Sequence, residues 1–258
     1  MKQRKKRRGN YGIDAPIVVR NLSLIGAGLL LLGAGAIVTF SGRLQWLGKV
    51  VGLVCLISFL ILAAEVLYMI WSSKVGKFRE RERLLDLVAI RGDEKVLDVG
   101  CGRGLVLNAA ARRLTTGRAV GVDIWNKQDQ SGNDPDATRR NAVIEGVAER
   151  VEIVDGDARN MPFADNEFDV VVSSLAIHNI PGSEERFRAI TEMMRVLKPG
   201  GRFAVLDFQH VREYADAFEQ LGAADVRIIG PHWLMFPPVR IVTGRKETER
   251  NGSLIHHL

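Results

Sequence analysis

The sequence predicts an α/β domain with a mostly parallel, seven-stranded sheet and helices on both of its faces, preceded by two transmembrane helices. Three observations support this prediction. Short, nearly continuous Val/Leu runs alternate with helical stretches in the later part of the chain, as in parallel strands that are buried on both faces. One of these runs enters a glycine-rich turn, and two long uncharged runs precede the whole block.

Composition and charge fit one α/β core joined to a membrane segment. The chain has 258 residues, of which 47% are hydrophobic, and a net charge of +6. That length can bury a sizeable core. Basic patches often bind nucleic acid, but here they flank the hydrophobic runs, so we expect no nucleic-acid partner. The two cysteines, Cys55 and Cys101, provide no disulfide framework.

The N-terminal part is predicted to be a basic, disordered arm (1–16) followed by a transmembrane hairpin (17–73). The run from Leu22 to Phe40 holds 19 residues without a charge, and a second apolar run extends from about Val50 to Trp71. Roughly 20 apolar residues cross a hydrocarbon core. A cleaved signal peptide is the alternative for the first run, but its apolar core is too long and a second run follows at once. Small residues offer surfaces for close helix packing: Gly26, Gly28, Gly33, Gly35, Gly52, Ala63 and Ala64.

The basic residues predict how the hairpin is oriented. Six of them lie within the first eight residues and five follow the second run by residue 83, against Arg43 and Lys49 in the connection. The positive-inside rule then predicts an integral membrane protein with two spans, whose termini and later domain are cytoplasmic. Homo-oligomerisation through the helices and the role of Glu65, within the second run, stay open.

The glycine-rich turn joins a strand at Val96–Val99 to a helix at 105–114. Glycine lets the backbone bend sharply and approach a ligand, and the helix presents its first N–H groups there. A dinucleotide fingerprint would need glycine at position 105, which is Leu105, so an NAD-type oxidoreductase is disfavoured. The turn instead carries an acid and then glycines at every second position: Asp98, Gly100, Gly102 and Gly104.

A second strand, Ala119–Asp123, ends in an acid 19 residues after Gly104. A carboxylate at this strand end can accept hydrogen bonds from both hydroxyls of a ribose. Ile124 and Trp125 follow it, where an apolar face suits a base, although Trp125 could equally belong to the core. The polar loop 126–136 is long for a strand-to-helix connection. It is either a lid or acceptor contact or an exposed insertion.

The remaining elements follow in order. We predict helices at 77–90, 137–148, 183–197 and 211–221, and strands at 150–154, 170–174, 202–208, 225–229 and 239–243. Lys198 to Gly201 reads as a helix stop and turn. The apolar, aromatic loop at 230–238 lines an acceptor pocket, touches a membrane surface or is a plain packed connection.

The glycine turn and the block from Gly156 to Phe208 resemble the class I S-adenosylmethionine-dependent methyltransferases of the ubiquinone/menaquinone-biosynthesis type. The resemblance covers about residues 77 to 245 and implies a Rossmann-like domain over 74–246, with a polar tail at 247–258. It implies S-adenosylmethionine as cofactor and S-adenosylhomocysteine as product. The implied cofactor-binding residues are Asp98 (amino group), Gly100, Cys101, Gly102, Gly104, Asp123 (ribose), Ile124, Trp125, Gly156, Asp157 (adenine), Ala158, Ser173 and Ser174.

Methyl transfer is an in-line displacement, in which holding the acceptor collinear with the methyl–sulfur bond can supply roughly 7–11 kcal/mol. His178 follows the fourth strand, and histidine is the side chain that most often serves as a general base in enzymes, so it is the catalytic base candidate, or else a structural histidine. Asn179, Tyr214 and His232 are weaker candidates. The spacing of carboxylates and histidines suggests no metal site.

These features predict a membrane-anchored methyltransferase with a small, lipophilic acceptor at the cytoplasmic face. The acceptor stays open among a phospholipid headgroup, a prenylated quinone precursor and another lipid intermediate, since no segment matches the quinone enzymes' C-terminal signatures. The alternative function is a non-catalytic S-adenosylmethionine-binding module of a membrane assembly.

Overall fold

The computed structural model describes residues 8–126 and 133–248, which form two compact units. Of the described residues, the α/β unit contains 8–11, 78–126, 133–233 and 237–248, and the helical unit contains 12–77 and 234–236. The domain limits predicted at 74–246 stay a prediction, while the α/β unit takes up the chain at residue 78. Most of the predicted loop at 126–136 and of the tail at 247–258 lies outside the described residues, as do residues 1–7.

The helical unit is built on α1 (Pro16–Thr39) and α2 (Gln45–Trp71), which a short 3₁₀ turn joins. Both helices are long and apolar enough to cross a membrane. Only 17% and 11% of the residues in their most apolar windows are buried. A core helix of a water-soluble domain would be mostly buried, whereas most side chains in these windows face outward. Exposing that many apolar side chains to water is energetically unfavourable.

Small residues let α1 and α2 approach closely. A Cβ atom on Gly33 would lie 2.9 Å from Cys55 Cβ, and one on Gly26 would lie 3.3 Å from the Phe59 ring. Gly28 and Gly35, which we also predicted at the helix contact, have no heavy atom within 4 Å of such a Cβ. The glycines on α1 therefore divide into a contact face and an open face.

The end of α2 holds part of the apolar loop. A π-helical turn at Ser72–Gly76 follows the helix, and the Ser72 hydroxyl accepts a hydrogen bond from Phe236 N at 2.9 Å. A side chain at Gly76 would collide with the Leu234 carbonyl. Within the helical unit, residues 234–236 are thus a packed connection, one of the three alternatives for the loop at 230–238.

The α/β unit contains one seven-stranded sheet in the order β3-β2-β1-β4-β5-β7-β6. Strands β1 to β5 pair in parallel, and β7 runs antiparallel to β5 and β6, so the predicted mostly parallel, Rossmann-like sheet with helices is confirmed. The strands are β1 (Lys95–Val99), β2 (Arg118–Asp123), β3 (Val151–Asp155), β4 (Phe168–Ser174), β5 (Leu197–Asp207), β6 (Ala223–His232) and β7 (Val239–Lys246). The helices are α3 (Lys77–Leu87), α4 (Leu105–Arg113), α5 (Pro135–Glu145), α6 (Ser183–Val196) and α7 (Val211–Gln220).

Most element boundaries differ by a few residues from the prediction, and those of α5 and β5 differ for local reasons. Helix α5 begins at Pro135, because the Asp134 side chain caps it by accepting from Asp136 N, and it ends before Gly146, which has a φ of +72°. Strand β5 begins at Leu197, which pairs with Phe168 across a bulge. The predicted turn at 198–201 is therefore the irregular first part of this strand.

The N-terminal segment 8–11 is folded, so the prediction of a disordered arm is wrong for these residues. Tyr11 is 3% exposed. Its hydroxyl donates to Glu145 Oε1 at 2.6 Å and accepts from Asn108 Nδ2 at 3.1 Å. The Asn141 side chain accepts from Asn10 N at 2.8 Å and donates to Asn10 O at 3.0 Å. A short polar segment is thereby held by helices α4 and α5.

The division of the α1 glycines gives a paired test. We expect Gly33→Leu to lower the thermal midpoint of the detergent-solubilised chain relative to Gly35→Leu, because overpacking a helix contact costs about 1–3 kcal/mol. Circular dichroism at 222 nm measures both. Equal midpoints for the two variants would contradict the contact.

Candidate active site

The glycine turn lies at the carboxyl edge of the sheet, between the ends of β1 and β2. Gly100 N and Cys101 N donate to Val122 O at 2.8 and 3.2 Å, and Gly104 N donates to Cys101 O at 2.8 Å. Gly100, Gly102 and Gly104 have φ angles of +71°, +50° and +80°. Because L side chains rarely adopt this region, glycine at these three positions sets the path of the turn.

Asp98 fixes the start of α4 from inside the sheet. Its side chain is buried, and Oδ2 accepts a hydrogen bond from Leu107 N at 2.8 Å. Burial, with a smaller contribution from the charge of Asp123, raises the pKa of Asp98 to about 7. The predicted contact of Asp98 with the cofactor amino group stays a prediction.

The Asp123 carboxylate joins three loop segments. It accepts hydrogen bonds from Gly102 N at 2.8 Å, from Trp125 N at 2.7 Å and from Asn133 Nδ2 at 3.2 Å. Asp123 is 9% exposed. An ionised carboxylate can accept about four hydrogen bonds, so capacity remains at this strand end. Ribose binding by Asp123 stays a prediction.

The residues after Asp123 are at the rim of the site. Ile124 is 58% exposed. Trp125 is half-buried with a φ of +57°, and its indole N–H donates to Asp155 at the end of β3. Trp125 is therefore not a core residue, which removes that alternative. The adenine contact stays a prediction for both.

Gly156 and Asp157 follow β3 at the same edge. Gly156 N donates to Asp123 O at 3.1 Å. The Asp157 carboxylate is paired with Arg159, whose hydrogen bonds hold the pKa of Asp157 below its usual range. Arg159 also contacts Glu185 at 2.9 Å. Asp157 is thus ionised and already partnered, and the cofactor roles of Gly156, Asp157 and Ala158 stay predictions.

Two predicted polar ligands have their groups turned into the protein. The Ser173 hydroxyl is buried and donates to Val99 O at 2.8 Å, where it links β4 to β1. The Cys101 thiol is buried beside Asp98 and Asp123, and burial raises its pKa well above the ordinary value. Cys101 fits the turn as a small residue, since a thiolate is disfavoured there. Ser174 is half-buried at the strand end.

His178 lies in a 3₁₀ turn, Ile177–Asn179, directly after β4. Its Nδ1 lies 2.8 Å from Oδ1 of Asp207, the last residue of the adjacent strand β5. Sequence reasoning missed Asp207. The available signal was Val205-Leu206-Asp207, an apolar run ending in an acid as in Val122-Asp123.

The three weaker base candidates differ from His178 in burial or in their place in the sheet. Tyr214 is 1% exposed, and burial together with Asp207 raises the pKa of its hydroxyl. His232 ends β6, which is three strand positions, roughly 14 Å, from β4, the strand that precedes His178. Asn179 is exposed in the turn that carries His178. Among the described residues, no group of three or more His, Cys, Asp or Glu side chains could hold a metal ion.

Asn141 connects the N-terminal segment to the glycine turn. Besides its pair of bonds with Asn10, its Nδ2 donates to the carbonyl of Arg103 at 3.0 Å. Thr138, one turn earlier in α5, donates to Gly102 O at 2.6 Å. Helix α5 therefore supports two adjacent carbonyls of the turn.

This part of the chain is similar to known proteins. The family model described as "Methyltransferase domain" matches residues 97–205. The ubiquinone/menaquinone biosynthesis C-methyltransferase UbiE of Roseobacter denitrificans is 35% identical over 131 residues, which is 51% of this chain and 49% of that protein. The chloroplastic 2-phytyl-1,4-beta-naphthoquinone methyltransferase of Arabidopsis thaliana is 35% identical over 133 residues, 51% of this chain and 48% of that protein.

The chain thus matches about half the length of these curated relatives. Among solved structures, geranyl diphosphate C-methyltransferase from Streptomyces coelicolor A3(2) is similar, with a TM-score of 0.53 and 17% identity. The match covers 65% of this chain and 78% of that one. At this identity the likeness supports the fold alone.

The raised pKa of Asp98 predicts pH-dependent cofactor affinity. If the cofactor ammonium lies against Asp98, binding favours the ionised carboxylate and releases its proton. We expect the Kd for S-adenosylmethionine to rise by up to tenfold per pH unit as the pH falls below about 7. Calorimetry between pH 5.5 and 7.5 measures this. Asp98→Asn keeps an oxygen for Leu107 N and should remove the dependence, whereas a pH-independent wild type would refute the contact.

Asn141 offers a second test of the turn. We expect Asn141→Ala to weaken S-adenosylmethionine binding several-fold, because it leaves the Arg103 carbonyl and both backbone groups of Asn10 without this partner. Arg140→Ala, on the exposed side of the same helix, is the matched control. Unchanged affinity in Asn141→Ala would show that α5 does not support the binding conformation.

Proposed function

We propose that the chain methylates a lipophilic acceptor at the cytoplasmic face of a membrane. The premise is that residues 97–205 form a class I S-adenosylmethionine-dependent methyltransferase domain of the ubiquinone/menaquinone-biosynthesis type, as the sequence predicted. The observation that carries the proposal is the combination, in one chain, of this domain with two long, outward-facing apolar helices.

The residues at the carboxyl edge suit the cofactor in shape and chemistry. The path of the glycine turn needs glycine, since Gly100, Gly102 and Gly104 have positive φ angles and a side chain at Gly100 would collide with Ala176. The Asp123 carboxylate has remaining acceptor capacity for ribose hydroxyls. The exposed Ile124 offers an apolar surface for a base. When bound, S-adenosylmethionine supplies an activated methyl group on a sulfonium.

The helices have dimensions that suit a bilayer. Helix α2 has 27 residues and is therefore about 40 Å long, close to the full thickness of a bilayer with its interfaces. Trp46 and Trp71 lie near its two ends and are 60% and 40% exposed. Tryptophan is enriched at both membrane interfaces. Together with the basic residues outside the runs, this supports two spans with both termini in the cytoplasm.

The relatives' names point to the class of acceptor. Two of them are named for quinone biosynthesis or for a naphthoquinone substrate. We therefore favour a prenyl-substituted hydroquinone, a molecule that resides in the bilayer and carries ionisable hydroxyls next to nucleophilic ring carbons. Anchoring the domain to the membrane brings the enzyme to such a substrate, which water does not dissolve.

In the proposed reaction the acceptor attacks the methyl carbon as the bond from methyl to sulfur breaks. The electron pair of that bond stays on sulfur, which leaves neutral S-adenosylhomocysteine. The acceptor loses one proton, which His178 accepts and later passes to water. The remaining residues bind and orient, and positioning of this kind contributes on the order of 7–11 kcal/mol to lowering the barrier.

The proposal is tested by methyl transfer in vesicles. We expect the purified full chain, reconstituted with a 2-prenyl-1,4-naphthoquinol, to transfer label from methyl-tritiated S-adenosylmethionine into the organic extract. A water-soluble catechol in the same vesicles is the control. Cofactor binding without labelling of either compound would favour the non-catalytic module, and labelling of the catechol alone would refute the lipophilic acceptor.

The membrane arrangement has a separate test. We expect Ser41→Cys, in the connection between α1 and α2, to react with a membrane-impermeant maleimide in intact cells. Ser183→Cys, at the start of α6, should react only in inside-out vesicles. The native Cys55 and Cys101 are buried and give the background. Reaction of both variants from the same side would refute two spans.

A further inference from the structure

The carboxyl end of β5 holds a buried acid that the cofactor site does not use. Asp207 is completely buried. Its Oδ1 accepts from Phe208 N at 2.8 Å, and its Oδ2 accepts from His178 N at 3.3 Å and from the Tyr214 hydroxyl at 3.4 Å. The donors follow the ends of β5 and β4 and lie in α7, and together they fix the orientation of the carboxylate.

The His178 ring completes this arrangement. Its side chain is 15% exposed, its Nδ1 is 2.8 Å from Asp207 Oδ1, and the Phe208 ring contacts it edge to face at 4.6 Å between centroids. The two atoms are at ion-pair distance, but the ring N–H is not aligned for a linear hydrogen bond. Catalytic hydrogen bonds are often bent before substrate binds.

The turn that carries His178 abuts the cofactor loop. A Cβ on Gly100 would collide with the Ala176 side chain, two residues before the histidine. This close approach places the His178–Asp207 pair beside the glycine turn. From the family resemblance, we expect the reacting methyl group there.

We infer, on the basis of the proposed function, that Asp207 is a positioning residue. It holds His178 with its proton on Nδ1, which leaves the Nε2 lone pair as the base.

The charge of Asp207 explains why a buried acid is useful here. Burying a carboxylate is unfavourable unless it is paired. On α6 and α7, Arg186 and Glu213 pair with each other at 2.8 Å, and His210 Nδ1 lies 3.4 Å from Glu213. His178 becomes the compensating cation only when Nε2 has taken the acceptor proton. The buried charge therefore stabilises the protonated ring that forms during transfer.

The tautomer of His178 is a direct readout that needs no acceptor. With ¹⁵N-histidine-labelled full chain in detergent, and His178→Gln to assign the signal, we expect a neutral ring protonated on Nδ1. Asp207→Asn should shift it toward the Nε2–H form that free histidine prefers. Asp216→Asn, an exposed acid on α7, is the matched control. An Nε2–H ring in the wild type would overturn the inference even if Asp207→Asn does not fold.

The rate of methyl transfer is the second test, once an acceptor that the wild type methylates is known. We expect Asp207→Asn to lower kcat about 10²-fold, a typical contribution of general base catalysis, with little change in KM for S-adenosylmethionine. Loss of folding alone would not lower kcat while KM for S-adenosylmethionine is kept, so wild-type kcat in Asp207→Asn would overturn the inference. Failure of the wild type to transfer methyl groups would instead refute the proposed function, since the tautomer measurement is independent of it.

Discussion

The geometry of the cofactor edge depends on the hydrogen bonds that the Asp123 carboxylate accepts. The partners come from three different segments: the glycine turn after β1, the residues directly after β2 and the segment that leads into α5. Each backbone N–H in such a loop needs an acceptor when it is shielded from water. One carboxylate supplies acceptors for two of them, so the loops hold each other in place around a charged group at the rim.

The parallel sheet explains why chemically useful residues accumulate at this edge. The strand order places β1 between β2 and β4, so the ends of these neighbouring strands lie side by side. Acids end β2, β3 and β5 at Asp123, Asp155 and Asp207. Each is bound to an N–H group of a neighbouring loop or ring, which agrees with the general rule that ligands of open α/β sheets bind outside the carboxyl ends of the strands.

The sequence predicted the sheet and the glycine turn because buried strands and positive-φ glycines leave strong local signals. The end of α5 was missed by three residues, since the prediction continued the helical pattern through Gly146, where the backbone becomes left-handed. The folding of Tyr11 against α4 and α5 depends on contacts more than 90 residues apart in sequence, which no local pattern encodes. The sequence places Asp207 at the end of an apolar run, but its proximity to His178 follows only from the pairing of β5 with β4.

The other roles proposed for this edge of the sheet depend on its binding S-adenosylmethionine through Asp123. Calorimetric titration of the cofactor into the detergent-solubilised full chain measures that binding, with Asp123→Ala as the test variant and Asp136→Ala as the surface control. We expect micromolar-range binding by the wild type and by Asp136→Ala, and its loss in Asp123→Ala. Absence of binding by well-folded wild type, or full binding by Asp123→Ala, would show that Asp123 does not hold the cofactor.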